Sequence, residues 1–166
     1  MKKVLMSTIV LTALFMVLIS PVKAITKEDY TSHMELELKD PGKRWVSEEG
    51  IFQIRNSYWN GTVEGTLGTE GTYEAWVSLS INLATGDGTL REKWLITGTS
   101  QGTLAGTSRG EFTMPQFSGT FEGTCGTGDF EGVKIMGSFE GFHPIIDGLI
   151  DLEHIVVEAE GTKMYP

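Results

Sequence analysis

Glu92 and His154 are the residues whose type and spacing best suit them to chemistry. Strict alternation places Glu92 with Leu90, Trp94 and Ile96, and His154 with Ile150, Leu152 and Val156, so each polar side chain falls among apolar neighbours on one strand face. A carboxyl group in an apolar interior ionises less readily and can serve as a general acid or base near neutral pH, while an interior imidazole can orient a polar group of a ligand. A bulge or a one-residue slip of register would turn either side chain outward, and glycine-rich strands favour both. The candidate ligand contacts are Trp76, Trp94 and Tyr73, from a wider aromatic supply that includes Trp45, Trp59, Phe52 and Tyr58. Tryptophan and tyrosine combine a large apolar face with a polar tip, which suits a small-molecule pocket and serves equally well in a core.

Other chemistries find less support. The three histidines, His33, His143 and His154, lack the paired spacing of a zinc site, so no metal is expected. His143, just before Pro144 at a turn signal, is expected at the surface. The segment Gly126-Thr127-Gly128-Asp129-Phe130-Glu131-Gly132 misplaces the third glycine of a dinucleotide fingerprint and precedes no helix, and no tandem calcium-binding repeat is present, so no cofactor is expected. Cys125 is the only cysteine, which excludes an internal disulfide. It reads as a small buried residue among glycines, the alternative being a reactive or intermolecular thiol. Asn60-Gly61-Thr62 is a glycosylation sequon or simply a turn.

The elements that must position these residues are strands. Tyr73, Ala75, Val77, Leu79, Ile81 and Leu83 alternate with mostly polar residues, and Gly86-Asp87-Gly88 then signals a hairpin into a returning strand at 89–97. Further strands are expected at 32–38, 44–55, 58–66, 99–114, 116–124, 134–142 and 149–160. Repeated Gly-Thr pairs among the 21 glycines punctuate them. Between Phe117 and Gly141 four Phe-x-Gly units let aromatic rings lie over bare backbone while glycine bends the strand. The expected fold is all-β, a single antiparallel up-and-down barrel of about eight strands, with a two-sheet sandwich as the alternative.

The N-terminus carries Lys2 and Lys3, an apolar run from Val4 to Ile19, and Val22-Lys23-Ala24, the pattern of a secretory signal cleaved after Ala24. That run is short for a membrane span, so no membrane insertion is expected after cleavage. Residues 25–166 then form one domain, located in the cell envelope or outside the cell. The net charge of −9 becomes more negative once Lys2, Lys3 and Lys23 are removed, and without a basic stripe this argues against nucleic-acid partners.

The run SGTFEGTCGTGDFEGVKIMGSFEG, following GTLAGTSRGEF from Gly102 to Phe112, resembles the Gly-rich second half of the allene oxide cyclase barrel-like proteins, a group that includes the dirigent proteins and small bacterial domains of unassigned function. The likeness covers mainly Thr89 to Gly141. It implies an eight-stranded antiparallel barrel with an interior cavity, often assembled as a trimer. In known members that cavity guides a reactive oxylipin or a phenoxy-radical coupling chiefly through its shape, and no catalytic residue carries over onto a position here. The expected function is an exported barrel that binds a small apolar molecule inside. The alternatives are a cyclase or isomerase acting on such a molecule, and a non-catalytic envelope or protein-interaction module.

Overall fold

Alternating apolar and polar residues carry most of the chain into strands, and the computed structural model, which describes residues 25–66, 69–98 and 101–165, shows eleven of them among those residues. In chain order they are β1 (Thr26–Asp40), β2 (Lys43–Val46), β3 (Ile51–Gly65), β4 (Gly71–Asn82), β5 (Asp87–Gly98), β6 (Thr103–Thr113), β7 (Gln116–Gly126), β8 (Lys134–Phe142), β9 (Ile145–Ile146), β10 (Leu149–Ile150) and β11 (His154–Tyr165). From β3 to β8 each strand pairs antiparallel with the next. β8 then pairs with β11, β11 with β1, and β1 with β3. That last pairing closes an eight-stranded barrel, leaving β2 as an extra strand outside the circle. Hydrogen bonds run unbroken around the ring, so the sandwich alternative is excluded. The signal segment expected at 1–24 lies outside the described residues.

Two expected strands are broken. The span 44–55 contains the turn between β2 and β3, closed by a Gly50 N–H to Ser47 carbonyl bond of 3.0 Å. Gly50 has φ +75°, which glycine adopts without penalty. The span 149–160 is interrupted at residues 151–153, which separate β10 from β11. Between β1 and β2, Pro41 and Gly42 mark a bend that faces an irregularity on β3, where pairing to β4 jumps from Ile54 to Ser57. A side chain at Gly42 would collide with the Arg55 carbonyl, so the bend fits only glycine.

The barrel is filled at one end and hollow at the other. At the filled end Phe130, carried by the 3-10 turn Gly128–Phe130, packs with Ile96, Leu104, Val133 and Ile135, all nearly inaccessible. Ring-over-glycine contacts run between strands rather than along one. Phe117 and Gly141 are partners across β7 and β8, as are Gly119 and Phe139, and in each pair a Cβ on the glycine would strike the ring. Trp94 lies across Gly106 and Gly123 in the same manner. Buried Tyr30, Trp94 and Phe121 continue the fill toward the middle.

Candidate functional site

Beyond this fill the barrel opens into a cavity of about 420 Å³. Its wall is aliphatic and aromatic, with Leu36, Trp59, Val77, Leu79, Phe117 and Phe139 among its members. The size lies within the range of small-molecule pockets. The mouth lies at the end where β3 begins and β4 finishes, with Arg44, Met114, Leu152 and Glu153 among its lining residues. The same rim carries exposed apolar side chains, led by Leu149 at 75% and Ile145 at 64% of full exposure, on the β9–β10 hairpin.

Glu92 faces this cavity. On β5 it alternates inward with Leu90, Trp94 and Ile96 as expected, and protein encloses its carboxyl while the surface it retains is turned to the cavity. Tyr73 Oη on β4 donates a 3.0 Å hydrogen bond to Glu92 Oε1. Ser108, directly opposite Glu92 across β5 and β6, supplies a second hydroxyl donor. Burial pushes the carboxyl up to about 7, and the two hydroxyls pull against that rise without cancelling it. Burial and the neighbouring carboxylate hold the Tyr73 phenol well above its usual range, so it remains the donor. The arrangement is an acid–base group near its midpoint at neutral pH, held in an apolar chamber.

His154 does not reach the cavity. It is exposed, bound to Asp151 Oδ2 at 2.7 Å, because the break at 151–153 resets the alternation so that Ile155, Val157 and Ala159 point inward. The interior histidine is His143, expected at the surface and instead 9% exposed on the cavity wall. Its Nδ1 lies 3.1 Å from the carbonyl oxygens of both Asp151 and His154, acceptors that place the proton on Nδ1. Nε2, on the other side of the ring, is therefore an acceptor, with no hydrogen-bond partner among the described residues. Burial holds the imidazole below its ordinary value, and Trp59, Phe112 and Phe117 surround the ring at centroid distances of 6.2 to 6.4 Å. The signal was present: Ile135, Phe139 and Gly141 face inward on β8, and the same period of two reaches His143.

Of the candidate ligand contacts, Tyr73 lines the cavity. Trp94 is buried beneath it, and its Nε1 lacks a hydrogen-bond partner among the described residues. Trp76 lies outside, 39% exposed and packed on Tyr58 at 5.5 Å, as its place among Glu74, Ser78 and Ser80 dictates. From the wider aromatic set Trp59 and Phe52 line the cavity, whereas Trp45 is exposed beside Arg55. Trp59 donates through Nε1 to Ser57 Oγ at 3.1 Å, and Ser57 donates in turn to the Val77 carbonyl at 3.2 Å. Cys125 is exposed, where pairing between β6 and β7 is irregular, and not a buried filler. No group of three or more His, Cys, Asp or Glu side chains placed to hold a metal ion occurs among the described residues.

No protein-family model matches the chain, and comparison with curated proteins finds no match.

Proposed function

We propose that this protein is an exported barrel that takes up a small, mainly apolar molecule through its open end. The observation that carries the reading is the cavity of about 420 Å³, walled by apolar side chains and furnished with an enclosed carboxyl at Glu92. Such a chamber favours an apolar guest through the area it removes from water, while a few polar groups select its orientation. Kinship with the allene oxide cyclase and dirigent-like barrels is part of the proposal, supported by the hollow eight-stranded architecture. So is trimeric assembly, which sedimentation equilibrium reads directly. Titration with the neutral hydrocarbon probe diphenylhexatriene tests the chamber: its fluorescence should saturate at one probe per chain. Leu79→Trp, which narrows the cavity, should weaken binding of the probe. Unchanged binding by the narrowed variant would overturn the reading.

A second reading, catalysis by a cyclase or isomerase, draws on the Glu92–Tyr73 pair. A carboxyl near its midpoint beside a protonated phenol can accept a proton at one atom of a bound molecule and return it at another. Glu92→Gln should then abolish turnover of a matched substrate while leaving uptake and folding intact. Turnover that survives the change removes Glu92 from the mechanism.

A further inference from the structure

We propose that the natural occupant is an apolar amine, its ammonium group paired with the Glu92 carboxylate, and that anionic amphiphiles of the same size are disfavoured. This inference rests on the ligand-binding reading above and adds the chemical class of the ligand.

The polar inventory of the chamber is one-sided. On the inner wall of the chamber the donors are committed: Tyr73 and Ser108 hydroxyls to Glu92, the Ser57 hydroxyl to a backbone carbonyl, the Trp59 indole to Ser57, and His143 Nδ1–H to two carbonyls. Trp94 Nε1, unpartnered among the described residues, lies beneath the cavity and not on its wall, and Arg44 keeps free N–H groups only at the mouth. What remains inside is acceptor capacity. A carboxylate offers about four lone-pair sites, of which two hydroxyls use two, and His143 Nε2 supplies another. Glu92 also has no Lys, Arg or His within ion-pair distance among the described residues. An enclosed carboxylate of this kind gains most from a partner that brings both positive charge and several N–H donors. A guest carboxylate would instead confront a like charge with no donor to receive it.

The other charged or titratable groups on the cavity wall do not reverse this preference. Arg44 stands at the mouth, where its Nε donates to the Pro41 carbonyl, and Glu153 lines the same mouth. His143 resists protonation. Tyr73 remains a phenol. Raising the pH through about 7 therefore changes the chamber chiefly by ionising Glu92, which strengthens its hold on an ammonium group.

Octylamine, octanol and octanoate share one tail and differ only in head group, so titrating each against intrinsic tryptophan fluorescence isolates the head. At about pH 8.5 octylamine, still protonated, should bind at least about tenfold more tightly than octanol, with octanoate weakest. Its advantage should shrink about tenfold by pH 5.5, where Glu92 is neutral. In Glu92→Gln, checked for folding by circular dichroism, the amine and the alcohol should bind alike, which separates the chamber from the acidic outer surface. Tyr73→Phe keeps the carboxyl but removes a donor, so the amine preference should persist with its pH midpoint moved upward. Equal affinity for all three heads, or tightest binding of octanoate with its head at Arg44, overturns the amine assignment and leaves the apolar chamber standing. Binding of none of the three overturns both.

Discussion

The Tyr73 hydroxyl on β4 reaches Glu92 Oε1 on β5 at 3.0 Å, linking two inward-facing residues of neighbouring strands inside a mainly apolar chamber. The pair has a thermodynamic consequence that does not depend on any ligand. Burial lifts the Glu92 carboxyl from 4.5 to about 7, so the folded protein keeps a proton that the unfolded chain has already released. Stability therefore falls as pH rises from about 4.5 to about 7 and is level above that, a change on the order of 3 kcal/mol. Glu92→Gln should remove this slope. Urea unfolding of both proteins at about pH 5 and pH 8 isolates it as a difference, and parallel curves would show an ordinary carboxyl.

Replacing Tyr73 by Phe removes a donor that favours the carboxylate over the neutral acid. The Glu92 midpoint should move above its present value, extending the falling limb of stability toward higher pH. Above that midpoint the variant should be about 1 to 2 kcal/mol less stable than the native protein. Carbon-detected NMR titration of the glutamate carboxyls reads the midpoint directly.

Gly141 gives its space to the Phe117 ring across β7 and β8. Gly141→Ala drives a methyl group into that ring and should cost about 1 to 3 kcal/mol. Phe117→Leu in the same chain should recover part of the loss. Strict additivity in that double-mutant cycle would place the strain elsewhere.

His143 ties the segment between β8 and β11 to the barrel through its bonds to the Asp151 and His154 carbonyls. His143→Ala should expose residues 144–153 to proteases and lower stability by about 2 kcal/mol. Because burial holds this imidazole below 6.5, the unfolded chain takes up the proton first on acidification. Its contribution is present at neutral pH and fades below about pH 6.5, opposite in sign to that of Glu92. Cleavage sites mapped by mass spectrometry test the tether.

Exposed Cys125 should react with a thiol reagent in the folded state as rapidly as in urea. Strong protection that is lost on unfolding would place it inside.

Where the strands run regularly, the sequence alone determined which way the side chains point. Leu90, Glu92, Trp94 and Ile96 alternate inward along an uninterrupted β5, and alternation likewise puts Tyr73 inside and Trp76 outside, even though the chemistry of Trp76 suits a ligand contact. Closure was legible too, in the glycines that let Phe117 and Phe139 cross to neighbouring strands. What only the tertiary structure decided lies beyond irregular residues. The break at 151–153 reversed His154, and the end of β8 hid the inward continuation to His143. The Tyr73–Ser108–Glu92 cluster was likewise invisible, because it joins three strands whose mutual register is set by pairing and not by spacing along the chain. A period of two holds only while the backbone stays extended, and one unpaired residue inverts every face after it.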